Sequence, residues 1–474
     1  MSRFGQSRAT LLLALLLAGM LALAAGSRAE DAALAVPPAA TADALPLTLG
    51  QAIAIALRES PELQQAANRV ESGLLTVSQR RAEFTPDLGM TLAGAERFDK
   101  APAPAGGGYD GRNYETASGS LASRLNLFNG FGDVAALRGA EWDLAALRDS
   151  FTREEQSLVF TAVSDFLSAL SDRDLIGVRA ENLEGNRRQL EQVEALYRAG
   201  NRPVSDLYQQ QAATSSAEFD LLIAQRNYAV AKLRLLQTIG LSPITVIELQ
   251  APALDGLESA LVAERQEAVD GMPLAQRPDL LASQKQIEAA REQVAVARAG
   301  YWPNLNLAAS LDGSYTSLAR NDSFSGQFFD DNLSGVIGLT LAVPIFDRQQ
   351  TRTQVAQARI RQQDARWSLL QRQLQAETEF GQALEDFRTA QQLIGVAESQ
   401  LTAARQALAA VEERYRVGAA TLVELTQSRA QFAAAGFERV RARYALITQG
   451  AAIAYYQGDW ARMRALLALW ENRQ

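Results

Sequence analysis

Long stretches of the chain repeat their apolar residues every seven positions, which is the spacing of a coiled-coil helix. In the second half, large apolar residues recur at this interval from Phe380 to Tyr415, and mostly alanine follows three positions later, from Ala383 to Val411. Small side chains in one row let neighbouring helices approach closely. The matching row of the first half, 162–197, has more polar partners, so we expect a weaker seam there.

Each coiled-coil segment has recognisable ends. From Asn129 to Ala199, about 70 residues at a rise of about 1.5 Å predict a rod of roughly 100 Å. Gly200 and Gly418 stand where the rods should stop, because glycine readily adopts the left-handed conformation that ends a helix. Asp347 with Gln350 is expected to be an N-cap and its N3 partner. Such a rod suits a molecule that spans a compartment, although a plain coiled-coil rod remains the alternative.

Four shorter segments alternate apolar and polar residues, which is typical of strands in a transmembrane barrel. One pair lies within 88–98 and 121–127, and the other within 305–315 and 337–345. The apolar face is predicted to contact lipid, and the polar face is predicted to line a lumen. The stretches 99–113 and 317–332 are expected to be solvated outer loops. Three aromatic residues of the second loop suit an interfacial girdle, namely Phe324, Phe328 and Phe329.

An internal duplication organises these elements. The motif Phe-Thr-Pro-Asp-Leu at 84–88 recurs as Tyr-Trp-Pro-Asn-Leu at 301–305. Likewise Tyr-Arg-Ala-Gly at 197–200 recurs as Tyr-Arg-Val-Gly at 415–418, with a single extra residue in the intervening stretch. Each copy is therefore predicted to contain a helix, a strand pair, a long helix, a turn and a further helix.

Four strands cannot close a barrel alone, since about eight is the smallest number that does so. Open sheet edges are not tolerated in lipid, so the barrel must be shared between chains. Two chains would give about eight strands and a filled interior, whereas three would give about 12 and leave a lumen. The predicted fold is a mixed α+β membrane protein. A long α-helical coiled-coil barrel continues into a 12-stranded antiparallel β-barrel, to which each chain of a homotrimer contributes four strands.

Composition narrows the chemistry that the chain could perform. Its 474 residues include no His and no Cys, which removes disulfides, thiol nucleophiles, Ser-His-Asp triads and zinc sites built on those residues. The net charge of −8 argues against a phosphate-binding surface. We therefore expect no catalytic residue, no cofactor, no metal ion and no nucleic-acid partner.

The first residues have the pattern of a secretory signal peptide. Arg3 and Arg8 precede an apolar run over 11–25, and small residues at Ser27 and Ala29 mark a cleavage site. No later segment is long and apolar enough for a transmembrane helix. We predict cleavage after Ala29 and export of the mature chain, with a retained N-terminal anchor as the alternative.

The whole mature chain resembles the TolC-like outer membrane efflux proteins. The resemblance is carried by the two copies and by five motifs, which are Phe84-x-Pro86-x-Leu88, Tyr301-x-Pro303-x-Leu305, Leu127-Phe128-Asn129-Gly130, Pro344-Ile345-Phe346-Asp347 and Tyr415-Arg416-Val417-Gly418. It implies a homotrimeric channel in the lipid of the outer membrane of a Gram-negative-type cell, with a long periplasmic tunnel. It also implies an exit duct of a tripartite efflux pump or type I secretion system. Such a duct works with a periplasmic adaptor (membrane fusion) protein and an inner-membrane pump of RND or ABC type.

Members of this family close the periplasmic end by tightening the coiled coil at the helix turns. By matching positions, Asp206 resembles the latch carboxylate and Tyr415 its tyrosine partner, while the latch arginine falls at Ala420. The pair of constriction carboxylates falls at Glu424 and Gln427, so one acid is kept. We expect a hydrogen bond between Asp206 and the Tyr415 hydroxyl, and a weaker latch than in relatives with the arginine. Solvated turn acids are the alternative for Asp206 and Glu424.

The predicted segments follow the duplication. They are a signal peptide (1–29), an N-terminal segment with the first-copy helix (30–84), the first strand pair (85–128), the first long helices (129–240), an equatorial linker (241–277), the second-copy helix (278–302), the second strand pair (303–346), the second long helices (347–458) and a C-terminal tail (459–474). The alternative function is a periplasmic coiled-coil adaptor or structural protein without its own pore. That alternative leaves the four membrane-type strands unexplained.

Overall fold

The computed structural model of the chain describes residues 45–102, 109–251, 254–263, 274–319 and 323–458, together with residues 460 and 463. The predicted signal peptide lies outside these residues, as does most of the predicted C-terminal tail.

Two sets of helices of matching length reflect the duplication. The helices are α1 (Leu49–Glu59), α2 (Pro61–Ala82), α3 (Gly132–Arg198), α4 (Val204–Thr238), α5 (Leu254–Ala263), α6 (Pro278–Ala299), α7 (Gln350–Arg416) and α8 (Leu422–Gln457). Both α3 and α7 contain 67 residues, which at about 1.5 Å per residue makes each about 100 Å long. Within the described part of the chain, no helix is both long and apolar enough to cross a membrane.

The long helices α3 and α7 begin after the same backbone irregularity. Two consecutive residues with positive φ precede each helix, namely Gly130 and Phe131 before α3, and Arg348 and Gln349 before α7. The expected N-cap at Asp347 is therefore wrong, because Gln349 occupies the cap position. This left-handed pair separates Asp347 from the first residue of α7. Its carboxylate still accepts a hydrogen bond from the Thr351 N–H at 2.8 Å.

The strands form two sheets. The strands are β1 (Leu45–Leu47), β2 (Gly89–Pro102), β3 (Tyr109–Phe128), β4 (Ile247–Leu249), β5 (Asn304–Thr316) and β6 (Ser334–Ala342). The larger sheet has the order β2-β3-β5-β6 and is antiparallel throughout. The central pair β3–β5 joins the two copies, and β2 and β6 form the outer edges of the sheet. β1 and β4 form a separate two-stranded sheet.

The registers sort the side chains of the larger sheet into two chemically different faces. One face carries the apolar residues of all four strands, including Met90, Leu92, Leu121, Leu125, Leu307, Leu311, Ile337 and Leu339. The other face carries mainly small and polar residues, including Thr91, Ser118, Ser120, Asn306, Ser310, Asp312, Ser314 and Thr340. Because the pleat alternates with a period of two, the sequence pattern translates directly into these faces.

The outer connection of the first strand pair is shorter than expected. β2 continues to Pro102 and β3 begins at Tyr109, so both strands extend into the predicted loop 99–113. Backbone hydrogen bonds do not depend on side-chain polarity, which explains why a polar composition did not end the ladder.

The largest apolar core lies about midway along the long helices. It combines α1, the middle of α3, the end of α4, and facing segments of α7 and α8. Side chains that are almost completely buried there include Phe166, Leu167, Leu170, Leu235, Ile447 and Ile453. This core holds the two copies together at one level of the rods.

A buried ionic network ties three helices together beside this core. Arg277, whose side chain is 3% exposed, donates two hydrogen bonds to the Asp279 carboxylate at 3.1 and 2.8 Å and pairs with Glu379 at 3.1 Å. It also donates to the backbone carbonyl of Tyr456 at 3.3 Å. The start of α6, the middle of α7 and the end of α8 therefore share one guanidinium group.

The same contacts set the protonation of Asp279. Burial by itself would raise the pKa of Asp279, but its hydrogen bonds and charge pairing with Arg277 lower that pKa below the ordinary value. A depressed carboxyl pKa stabilises the folded state above the unfolded pKa of about 4, and this contribution is lost as the pH falls through the folded pKa.

We predict that Arg277→Met destabilises the protein by about 3–5 kcal/mol, because it leaves two carboxylates in the network without their cation. Thermal unfolding of the purified protein measures this effect. The control is Arg188→Met, which removes an exposed arginine from a pair with Glu184 on the surface of α3.

The two proteins should also differ in pH dependence. Wild-type stability should fall below about pH 4 as Asp279 protonates, and the variant should lack that part of the decline. Equal stability of Arg277→Met and Arg188→Met would contradict a stabilising role for the network.

Candidate functional site at the helical tips

Both helical hairpins turn through the same local motif at the end distant from the larger sheet. Gly200 and Gly418 follow the ends of α3 and α7, and each has a φ of +76°. The Asn201 N–H donates to the Leu196 carbonyl at 2.9 Å, and the Ala419 N–H donates to the Arg414 carbonyl at 2.7 Å. These are Schellman-type helix ends, for which glycine is favoured because its left-handed conformation carries no Cβ penalty.

The two turns pack against each other through a small apolar cluster. Its buried members are Val193, Leu207, Tyr415, Ala420, Leu422 and Leu425. Ala420 is 8% exposed and contributes only a methyl group to this cluster. The position that matches the family's latch arginine is therefore occupied by a small apolar contact between the hairpins.

An arginine from the first turn lies between the two predicted latch residues. The Arg202 guanidinium is paired with the Asp206 carboxylate at 3.4 Å, and its Cζ lies 4.9 Å from the centroid of the Tyr415 ring. A cation over an aromatic face is attracted by the ring quadrupole. The structure thus brings Asp206 and Tyr415 to one place, with Arg202 as the link between them.

The direct hydrogen bond that we expected between Asp206 and Tyr415 is not formed in this chain. Tyr415 is 6% exposed, and its hydroxyl has no hydrogen-bond partner among the described residues. The phenol oxygen is buried, while the Asp206 carboxylate is held by Arg202, which lies in the turn that precedes α4. The contact with Tyr415 is therefore made to the ring and not to the hydroxyl.

The two copies are not equivalent at this point. Tyr197, the counterpart of Tyr415, is 40% exposed. The counterpart of Arg202 in the second copy is Ala420, so at this position only the first turn has an arginine. Sequence reasoning overlooked Arg202 because it compared the chain with the family pattern. Comparing the two copies with each other would have shown that the arginine stands in the opposite turn.

Glu424 and Gln427 lie on the first turns of α8. Glu424 forms a capping box with Thr421: its N–H donates to Thr421 Oγ1 at 3.2 Å, and its carboxylate accepts from the Thr421 N–H at 3.4 Å. The other carboxylate oxygen lies 3.2 Å from the Arg414 guanidinium. Gln427 is exposed and contributes no charge. Glu424 therefore has a structural task at the helix start, in addition to any role in a constriction.

A buried polar layer lies next to the apolar cluster, further from the turns. Its members are Asn186, Gln189, Gln210, Thr214 and Ser428, each at most 8% exposed. The Gln210 side chain donates to the backbone carbonyl and side-chain oxygen of Asn186 at 3.1 and 3.2 Å. Gln189 Nε2 and Ser428 Oγ are buried without a partner among the described residues.

Such groups weaken the packing at this level. A buried donor or acceptor without a partner costs about 1–3 kcal/mol, and the apolar cluster at the tips is much smaller than the core midway along the rods. The helical tips are therefore held together less firmly than the middle of the molecule.

Comparison with known families places this geometry in context. The model of the family described as outer membrane efflux protein matches residues 52–241 and 271–459, which together include both copies. The chain belongs to the outer membrane efflux protein family. The resemblance drawn from the sequence motifs is thereby confirmed. As in other members, the larger sheet belongs to an outer-membrane barrel that several chains share, and the long helices belong to the periplasmic tunnel.

Curated relatives cover most of this outer membrane efflux protein. It is 26% identical to the pyoverdine export outer membrane protein OpmQ of Pseudomonas aeruginosa, over 87% of this chain and 85% of the relative. It is 29% identical to protein CyaE of Bordetella pertussis, over 93% of each chain. It is 22% identical to outer membrane protein TolC of Escherichia coli, over 81% of this chain and 77% of the relative.

Solved structures show the same fold. The Campylobacter jejuni CmeC outer membrane channel superposes with a TM-score of 0.74 at 14% identity, over 90% of this chain and 89% of that chain. The Vibrio cholerae outer membrane protein VceC superposes with a TM-score of 0.69 at 21% identity, over 86% of this chain and 96% of that chain. The prediction of long helices continuous with a shared barrel is confirmed by these likenesses.

The tip geometry predicts which side chain restrains opening. Arg202→Gln removes both the pairing with Asp206 and the contact with the Tyr415 ring, so the tips should separate more readily and the channel should conduct more in planar bilayers. Tyr415→Phe removes only a hydroxyl without a partner, so it should stay as closed as the wild type.

The matched control for this prediction is Arg198→Gln. Arg198 lies at the same turn, but its side chain is 73% exposed and pairs with Glu194 on the surface. If Tyr415→Phe opened the channel and Arg202→Gln did not, the hydroxyl would be the latch and the arginine would have no part in it.

Proposed function

We propose that three copies of this protein form a passive outer-membrane duct. The duct receives its cargo from an inner-membrane pump of RND or ABC type through a periplasmic adaptor protein. One observation carries the proposal: a four-stranded sheet with one apolar face and two outer edges is continuous with helices about 100 Å long. An adaptor or structural protein without a pore would have no use for that sheet.

The dimensions of the apolar face suit a bilayer. From Leu305 to Tyr315, about ten steps of roughly 3.4 Å span about 34 Å along β5. A tilt of about 40° reduces this to roughly 26 Å along the membrane normal, close to the apolar band of about 25 Å on outer-membrane barrels. Beyond this band the next paired positions are Glu96 and Glu115, which suit water.

The helical tips supply the periplasmic gate in this proposal. Arg202, Asp206 and Tyr415 link the two hairpins of a chain, while Glu424 and Gln427 would face the constriction. Three such links in a trimer would favour the closed state together. The buried polar layer beside them keeps the closed state from being permanent, since its polar groups gain water when the hairpins separate.

The surface above the tips is suited to a helical partner. A groove among α3, α4 and α8 has a floor of small side chains and a charged margin. The small ones are Ala213, Ser216, Ala217, Ala430, Ala433 and Ala434, and the charged ones are Arg179, Asp220, Arg429 and Glu438. Small residues allow a further helix to approach the backbone closely, so this groove is where we place the adaptor.

The names of two relatives record different exported molecules. OpmQ of Pseudomonas aeruginosa is named for pyoverdine export, and AprF of the same organism is named for alkaline protease secretion. A duct that accepts both small molecules and proteins is compatible with a wide lumen, with the pump selecting the cargo.

The first prediction from this proposal concerns assembly. The detergent-extracted protein should be a stable trimer in native mass spectrometry, because only closure removes the free edges of β2 and β6 from lipid. It should form pores in planar bilayers and co-purify with an adaptor and a pump from cells. A stable monomer without pore activity would contradict the duct and leave the poreless alternative.

The second prediction tests the face assignment. Leu339→Lys should destabilise the barrel by up to about 2–4 kcal/mol if the position lies near mid-bilayer on the lipid face. Thr340→Lys, the adjacent position on the polar face, should be tolerated because it meets water. Heat-dependent migration of the trimer measures both variants, and equal tolerance would show that the faces are assigned wrongly.

A further inference from the structure

Residues 324–331, which precede β6, fold back onto the sheet. They form a short helical segment made of Phe324–Gly326 and Gln327–Asp331. We call residues 324–331 the outer-wall brace. Gln327, which is 2% exposed, binds both backbone groups of Thr316: its side chain accepts from the N–H at 3.0 Å and donates to the carbonyl at 3.2 Å. The brace is therefore fixed to the end of β5.

Two glycines on neighbouring strands form the seat of the brace. Gly119 and Gly313 are directly paired between β3 and β5. A Cβ on Gly119 would lie 2.5 Å from the Phe328 ring, and a Cβ on Gly313 would lie 2.5 Å from the Phe328 carbonyl oxygen. No real Cβ tolerates such distances, so the brace fits only because both positions lack a side chain.

The seat belongs to the apolar face of the sheet. Along the strands, Gly119 and Gly313 follow the pair Leu121 and Leu311 on the same face, since alternate residues share a face. The missing Cβ of Gly119 would also lie 2.9 Å from a methyl group of Leu92, another residue of that face. The brace thus covers the outside of the proposed barrel and not its lumen.

Aromatic rings dominate the brace. Tyr315 of β5 contacts Phe324, whose ring stacks on Phe328 at 5.2 Å, and Phe328 contacts Phe329 at 5.0 Å. Phe324 and Phe329 are 46% and 64% exposed. Two exposed carboxylates, Asp330 and Asp331, follow at once along the chain. The segment therefore changes from aromatic to charged within a few residues.

We propose that the outer-wall brace binds the outer leaflet of the membrane at the boundary between acyl chains and headgroups. Phe324 and Phe329 enter the lipid, and Asp330 and Asp331 remain in water. Continuity with the apolar face identifies lipid as the occupant, because the brace lies where that face ends and the charged Glu96–Glu115 level begins. Outer-membrane barrels carry girdles of aromatic residues at this boundary. The brace would fix the depth of the barrel in the membrane, and the inference rests on the proposed barrel.

The chain contains no cysteine, so single nitroxide labels can be placed on the full-length trimer in lipid vesicles. A label at Phe329→Cys should be several-fold more accessible to oxygen, which partitions into lipid, than to a water-soluble nickel complex. Asp330→Cys, one residue further, should show the opposite preference. A label at 329 that prefers the nickel complex would overturn the proposal and place the brace in water.

Two further labels separate this inference from the barrel itself. Leu339→Cys should report lipid and Thr340→Cys should report water. If these two fail to differ, the proposed barrel is wrong. If they behave as expected while the label at 329 reports water, only the brace is refuted.

The glycine seat offers an independent test. Gly313→Ala, added to the protein labelled at 329, should displace the brace and reduce the oxygen accessibility of the label several-fold. Gly94→Ala is the matched control, because it lies on the same face of the sheet with no atom within 4 Å of the added Cβ. An unchanged label signal in both variants would show that Phe328 does not depend on the seat. The label at 329 in the otherwise unchanged protein decides the proposal even if Gly313→Ala does not fold.

Discussion

A strand edge exposed to lipid leaves peptide N–H and C=O groups without partners, and each such group costs several kcal/mol. In this chain the constraint applies to β2 and β6, the two outer strands of a sheet whose one face is apolar. Other copies must supply the missing neighbours, so the barrel exists only as an assembly. The remaining features of the molecule, including its long rods and its distant tips, depend on that closure, because a barrel shared by several chains forces their helices into a ring.

Packing is stronger midway along the long helices than at their tips. Midway along the rods, an apolar core and the buried Arg277 network hold helices of both copies at one level. At the tips, the contact consists of a small cluster, two arginines (Arg202 and Arg429) and a polar layer in which Gln189 and Ser428 lack partners among the described residues. Local opening is drawn from the least stable part of a fold. In the gate that we propose, the tips would separate while the middle stays closed, so that the tunnel opens without unfolding.

Duplication produced two similar hairpins, and the contact between their turns depends on the residues that differ between the two copies. Arg202 and Ala420 occupy matching positions, so a cation from one turn can lie over Tyr415 of the other turn without meeting a second cation. The two matching tyrosines also differ, since Tyr197 is exposed and Tyr415 is buried.

Periodicity and duplication in the sequence determined the helices, the four strands, their faces and the need for several chains, because each depends on local geometry repeated along the chain. Only the tertiary structure decided which distant groups meet. Arg202 reaches Tyr415 across two copies, Arg277 collects partners from three helices, and the left-handed pair at Arg348 and Gln349 displaces the expected cap at Asp347. The need for glycine at Gly119 and Gly313 likewise becomes clear only when a later loop packs against them. These contacts depend on the packing of segments far apart in sequence, and no local pattern of side chains encodes that packing.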